Sequence, residues 1–376
     1  MEYILFAIPF ITAIILLLFF HKNVVWWEYI LLIVPPILLT LVTKCIMVEV
    51  NTMDTEYYGG YVTRVTHYDD WDETRMVPIT TVYRVGKTTV TRTHFVPKRF
   101  YYPDKYTYVS NLDDSEIEIS EALYERMKKK LSGEEIFRDM HRDYRSIDGD
   151  AHDVFYDSTI VHLYDITIPH TYRNKVAASQ SYNIYQLKKV TKEEVINYGL
   201  FEYPTIDDTL SQNPILGDTL DTESVNAIKR INALYGKEYQ FRIFVCIFKD
   251  KPFEASELQR AYWQNGNKNE MVVCLGTEND STVAWVNAFS WSDEPNLEVM
   301  TRAYFAANPK LDLVEYADLL AKDIPTKWIR KEFEDFNYLS VEVSKGEYIV
   351  LFIIMILFEI GLSIFVVKNE IDNKEK

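Results

Sequence analysis

Residues 260–276, RAYWQNGNKNEMVVCLG, hold a helix end, a polar turn and the start of an apolar strand. Read backwards, the helix is ASELQRAYW (255–263), preceded by EYQFRIFVCIFKD (238–250), a strand with almost no polar alternation. Read forwards, MVVCLG (271–276) is followed by a third strand, TVAWVNAFSW (282–291). Apolar positions at helical spacing mark three more helices, TESVNAIKRINALYG (222–236), NLEVMTRAYFAAN (296–308) and LDLVEYADLLAKDI (311–324). In the first of these, Thr222 or Ser224 is placed to cap the free amides. Strands that are apolar on every residue need cover on both faces, so residues 222–340 read as an α/β module. In that frame QNGNKNE (264–270) is a helix-to-strand connection.

Upstream the composition changes. EYYGGYVTRVTHYDDWDE (56–73) and ITTVYRVGKTTVTRTHFVPKRFYYP (79–103) are rich in Thr, Val and Tyr, and RVGKTTV supplies a glycine turn for a hairpin. Ile119, Leu123, Met127 and Leu131 recur at helical spacing, and Gly133 is expected to break that helix before a second short one. Strand character returns in HDVFYDSTIVHLYDITIP (152–169) and SYNIYQL (181–187). Residues 49–205 therefore read as a β-rich module with an inserted helix. Residues 206–221, rich in turn-formers and without a period, read as a linker.

Both ends of the chain are apolar. YILFAIPFITAIILLLFF (3–20) has no charge over a length that just crosses a hydrocarbon layer, and WWEYILLIVPPILLTLVTKCIMV (26–48) has charges only at Glu28 and Lys44. A third run, YIVLFIIMILFEIGLSIFVV (348–367), carries Glu359 near its middle. Trp26, Trp27, Tyr29 and Tyr348 lie where interfacial aromatics belong. The fold class is thus an α+β membrane protein with three transmembrane helices: a hairpin over 1–48, a helix over 347–368 and a short tail, 369–376. Lys22, Lys368, Lys374 and Lys376 in loop and tail outnumber Lys44 and Lys345 on the other side, which puts loop and tail in the cytoplasm and the large region outside it.

The chain carries 40 Lys and Arg against 56 Asp and Glu, a field of the wrong sign for nucleic acid. Its three cysteines, Cys45, Cys246 and Cys274, allow at most one internal disulfide, and the last two sit in apolar runs that favour free, packed thiols.

The succession of helix, FRIFVCIF (241–248), helix closing in Trp263, and the run W-x-N-G-N-K-N-E before MVVCLG resembles the TPM domain over about residues 223–323. The resemblance implies a membrane-anchored domain outside the cytoplasm, associated with assembly or maintenance of membrane complexes, or in some members with phosphatase activity. The chain departs from the family pattern after its third strand, where AFSWSDEPNLE (288–298) stands in place of a glycine-rich stretch.

Four stretches carry groups capable of chemistry. In DGDAHD (148–153), Asp148, Asp150, His152 and Asp153 offer oxygen and imidazole donors suited to a divalent cation, although the same residues serve ordinary turns. HYDDWDE (67–73) offers carboxylates for acid/base work or for a solvated turn. Asn265, Gly266, Asn267 and Asn269, with Asp293 near a strand end, are candidate ligand-binding groups. Glu359, costly in lipid when ionised, is placed with Gly361 and Ser363 for packing against another helix. No histidine follows His170, and no phosphate loop, His-Glu-x-x-His or thiol cluster is present.

These readings lead to a non-enzymatic, membrane-anchored protein whose exposed acidic region binds protein partners or a second copy of itself and supports an envelope complex. The alternatives are a metal-dependent, phosphatase-like hydrolase at the membrane surface, with a divalent cation as its candidate cofactor, and an oligomeric pore subunit built round Glu359.

Overall fold

The computed structural model describes residues 2–374 apart from 21–23, 141–146, 158–162, 180–188, 207–211, 218–219, 279–281 and 342. Two long helices open the chain, α1 (Glu2–Phe20) and α2 (Trp26–Thr52). There follow β1 (Met53–Tyr68), β2 (Trp71–Val85), β3 (Thr88–Tyr102), β4 (Lys105–Ser110), β5 (Ile117–Ile119), α3 (Glu121–Leu131), β6 (Ser132–Arg138), β7 (Ala151–Tyr156) and β8 (Asp165–Arg173). Next come α4 (Lys175–Ala178), α5 (Lys192–Tyr198), β9 (Ile215–Leu216), α6 (Thr222–Tyr235), β10 (Arg242–Lys249), α7 (Glu254–Tyr262), β11 (Glu270–Glu278) and β12 (Thr282–Ser290). The chain ends with α8 (Asn296–Ala307), α9 (Leu313–Lys327), a 3-10 turn (Phe333–Phe336) and α10 (Lys345–Lys374). The fold is mixed α+β, as the sequence pattern implies. The expected strand over 181–187 lies outside the described residues.

The chain divides into two compact units. The first comprises Met1–Thr55, Thr171–Gln186 and Glu332–Lys376. In it α1, α2 and α10 pack around two apolar clusters, one holding Leu5, Leu351 and Met355, the other Leu16, Leu32 and Val366. Their remaining faces are apolar as well: Leu18, Phe19, Leu38, Val42, Leu357 and Ile364 are all exposed. Two of the helices, over Trp26–Thr52 and Lys345–Lys368, have the length and composition of a membrane-crossing helix, and the apolar run of α1, Ile4–Phe20, is shorter. Glu28, one of the two charges in the second apolar run, accepts the Val25 N–H at 2.8 Å and so caps the first turn of α2. At the far end α2 continues to Thr52 and is tied to the chain after β8. The Thr52 carbonyl accepts the Asn174 N–H, Asp54 accepts from Tyr172 Oη and Asn174 Nδ2, and Glu49 pairs with Arg173.

The second unit, Glu56–His170 with Leu187–Lys331, holds three sheets among the described residues. One has the order β5-β4-β1-β7-β6, with β8 also paired to β1. Helix α3 packs Leu123, Tyr124, Met127 and Leu131 onto it against Val65 and Val154, the i, i+4, i+8 face expected for that helix, except that Ile119, expected on the same face, lies before it in β5. The second short helix expected after Gly133 is instead strand β6. Ser132 takes a left-handed φ of 53° that ends α3, and a Cβ on Gly133 would stand 2.2 Å from the Phe155 carbonyl, so at the irregularity between the Ser132–Tyr156 and Glu135–Val154 pairs the bare backbone lets β6 approach β7 where a side chain could not.

The second sheet, β12-β11-β10-β9, realises the covered α/β arrangement. Strands β9, β10 and β11 are parallel and β12 is antiparallel to β11. One face packs Ile243, Val245 and Ile247 against Ile228, Phe305 and Tyr316; the other packs Phe244 and Phe248 against Leu258 and Trp263. Cys246 and Cys274 stand side by side in register, fully buried and free. Inside the segment that reads as a linker, Ile215–Leu216 adds an edge strand to this sheet. The cap of α6 is Asp221, which accepts the Ser224 N–H at 2.8 Å, rather than Thr222 or Ser224.

The third sheet is a two-stranded ribbon. Strands β2 and β3 pair along fifteen residues each, from Trp71 opposite Tyr102 to Val85 opposite Thr88, closed by Gly86 at φ 63° and Lys87. At ~3.4 Å per residue it extends about 50 Å. Most of its side chains are exposed on both faces.

Candidate metal centre at the base of the ribbon

The register of the six-stranded sheet lines up side chains that are distant in sequence. His67 of β1 stands opposite His152 of β7 on one side and Tyr106 of β4 on the other. The His67 ring stacks on Tyr106 at 4.7 Å and on His152 at 5.9 Å, and Phe137 of β6 meets His152 edge-on at 5.4 Å. The ribbon leaves the sheet at the end of this row. Asp69 lies in the connection from β1 to β2, and Asp104 in the connection from β3 to β4. His67 Nε2 is 3.0 Å from Asp104 Oδ1, and Nδ1 is 3.7 Å from Asp69 Oδ1. One ligand atom from each of His67, Asp69 and Asp104 lies within 4.8 Å of the others. His152 extends the cluster, with Nε2 at 3.1 Å from Asp69 Oδ2 and Nδ1 at 2.9 Å from Glu135 Oε1.

The backbone holds Asp69 in place. Its N–H donates to the Asp150 carbonyl at 2.9 Å, and Gly149 lies so close that a Cβ there would stand 1.8 Å from the Asp69 carbonyl oxygen. Burial disfavours charge on His152, but hydrogen bonds to Asp69 and Glu135 outweigh it and raise the imidazole above its ordinary value. Lys128, 2.7 Å away, holds Glu135 below the usual carboxylate range. One imidazole and two carboxylates are donors that suit zinc and other first-row divalent ions, and three ligands leave positions open to water.

Only His152 of DGDAHD joins this cluster. Asp153, the next residue, points to the opposite face, where it binds Arg138 at 2.9 and 3.1 Å and accepts from Thr66 Oγ1 at 2.6 Å. Asp148 pairs with Lys105 at 3.2 Å, and Asp150 accepts the Met140 N–H at 3.0 Å. In HYDDWDE, His67 and Asp69 enter the cluster, whereas Asp70 accepts from Tyr101 Oη and Asp72 binds Arg99 across the ribbon.

The polar turn is occupied internally. Gln264, Asn265 and Gly266 have φ of 53°, 70° and 75°, a left-handed run that reverses the chain after α7. Asn265 Oδ1 accepts from Arg260 Nε, the Asn267 N–H donates to Glu270 Oε2, and Asn269 Nδ2 donates to the Tyr57 carbonyl. Lys268 reaches Glu56 at 3.4 Å. Glu56, wholly buried, also accepts from Arg330 Nη2 at 2.9 and 3.1 Å, from Tyr58 Oη at 2.9 Å and from His170 at 3.0 Å. Burial and the Glu56 charge push the Tyr58 phenol up to about 12. Asp293 binds Lys331 at 2.5 Å. In the helical bundle Glu359 is 3 % exposed, and neither its carboxyl oxygens nor Ser363 Oγ has a hydrogen-bond partner among the described residues. Gly361, expected to pack against another helix, instead opens onto free space: among the described residues no atom beyond its own stretch of helix lies within 4 Å of where a Cβ would stand.

Sequence reading missed Asp104 and Glu135, and treated 67–73 and 148–153 as separate stretches. No local pattern joins His67 to His152, 85 residues on. No family model, curated protein or solved structure matches the chain.

Proposed function

We propose that this chain is a membrane-anchored protein that binds a divalent transition-metal ion at His67, Asp69 and Asp104, and that the ion fixes a ribbon presented to protein partners in an envelope assembly. The observation that carries it is the convergence of three ligand atoms within 4.8 Å, two of them from the two connections at the base of the ribbon. His67, Asp69 and Asp104 would hold such an ion, and it would tie the strand entering the ribbon to the strand leaving it. Anchoring is supported by a helical bundle whose outward faces are apolar, which lipid solvates and water does not. The lysine bias of loop and tail favours an extracytoplasmic position for the large region, and the likeness of residues 223–323 to the TPM domain favours an assembly role.

The test is calorimetric titration of the full chain in detergent micelles with Zn²⁺ at pH 7.5. Wild type is expected to bind one ion, and His67→Ala and Asp104→Asn each to weaken binding at least ~10-fold. Absence of binding, or wild-type affinity in both variants, overturns the assignment. The open coordination positions also favour a second reading, a metal-dependent hydrolase. It requires Zn²⁺- or Mn²⁺-dependent cleavage of a generic phosphoester that disappears in Asp104→Asn.

A further inference from the structure

Charge is distributed unevenly between the ribbon and the rest of the chain. The ribbon, residues 71–102, contains six Lys and Arg (Arg75, Arg84, Lys87, Arg92, Lys98, Arg99) against two acidic residues, Asp72 and Glu73, which pair with Arg99 and Arg75 at its base; that leaves 34 basic against 54 acidic residues elsewhere. The same ribbon exposes large apolar groups: Met76, Ile79, Val82, Tyr83 and Phe95 are 45–63 % accessible. A two-stranded ribbon is marginally stable in water by itself, because neither face is covered. A cationic, partly apolar arm of this length calls for an acidic, partly apolar surface to lie on.

The chain carries such a surface. Residues 106–125 contain six Asp and Glu and no Lys or Arg. Within them β5 is the terminal strand of the six-stranded sheet, so among the described residues one of its edges has no strand beside it. Ile117 on this strand is 38 % exposed, and Asp113, Asp114, Glu118, Glu121 and Glu125 around it are all exposed. Glu116 is already engaged by Arg64 and by Tyr68 Oη.

We infer that the ribbon is a docking arm for a second copy of this chain, the cationic ribbon of one copy lying along the acidic β5 edge and α3 start of its neighbour. The inference rests on the assembly reading above and names the partner. A second copy is favoured over anionic lipid or nucleic acid because the rest of the chain is strongly acidic and repels both. Anchoring in one membrane also raises the effective concentration of copies for one another. Reciprocal exchange of two arms closes a dimer with the same contact made twice.

The test uses the full chain in detergent, with mass measured by light scattering across a range of concentration and salt. Wild type is expected to self-associate, less so at high salt. The arm-reversed variant, Arg84→Glu with Arg92→Glu, and the edge-reversed variant, Glu118→Arg with Glu121→Arg, are each expected to be monomeric. Mixed together they are expected to recover the wild-type mass, since each arm then meets an edge of opposite sign. A second measurement needs no variant: zero-length carboxylate–amine cross-linking of mixed light and heavy-isotope wild-type copies is expected to join Lys87 of one to Glu118 or Glu121 of the other. A monomeric wild type, variants that keep the wild-type mass, or a mixture that stays monomeric overturns the inference, as does a wild-type monomer that binds anionic vesicles. A monomer that recovers a different protein in stoichiometric amount overturns it too, but leaves the assembly reading standing.

Discussion

Glu270 sits without solvent exposure at the end of the polar turn, accepting from Tyr203 Oη at 2.5 Å and from the Asn267 N–H at 2.8 Å. Burial raises its carboxyl above the ordinary value even though Arg242 is near, and burial likewise pushes the Tyr203 phenol up. For a group whose pKa is raised on folding, the associated stability is complete below the unfolded value, ~4.3, and is lost as pH rises through the folded one. Glu270→Gln removes that titration. The stability difference between wild type and variant is therefore expected to move in the variant's favour between pH 4.5 and pH 7.5, as read from urea unfolding by tryptophan fluorescence. A difference that does not change with pH contradicts the burial argument. At this scale residue type was informative and direction was not. His152 and Asp153 are neighbours in DGDAHD, yet strand alternation sends one to the metal cluster and the other to Arg138.

The ribbon shows which long-range pairings a local pattern does encode. Counted outward from Gly86–Lys87, equal steps along both strands bring Trp71 opposite Tyr102, and the same count continued brings Asp69 opposite Asp104. The turn therefore contained the pairing of the two carboxylates, given strands without a bulge. If an ion clamps that base, Zn²⁺ is expected to slow amide exchange at residues 71–76 and 97–102 by about tenfold or more while leaving 82–91 fast, because protection tracks local opening. Uniform protection along the ribbon, or none, rules the clamp out. Strand β6 shows the opposite case. The KKKLSGEEIF stretch reads as one helix broken at Gly133 and followed by another, and it is pairing of Glu135–Arg138 with β7, allowed by the bare Gly133 beside Phe155, that makes it a strand.

For the whole molecule, the apolar outer faces of α1, α2 and α10 decide the solvent. The full chain is expected to sediment with membranes and to need detergent for release, and trypsin added to intact cells is expected to shorten it at the Lys- and Arg-rich ribbon. Protection until the membrane is opened reverses the assigned side, and a chain that is soluble and monodisperse without detergent removes the anchor. Apolar run length and apolar periodicity are local quantities, so the long apolar helices, the covered α/β sheet and the hairpin could all be read from contiguous residues. The placing of His152 and Glu135 beside the metal cluster, and the docking edge, could not. They depend on which strands become neighbours and in what register, a choice made by burial of Val65, Val154 and Met127 against one another. Only the folded sheet brings His152 and Glu135 alongside His67 and Asp69.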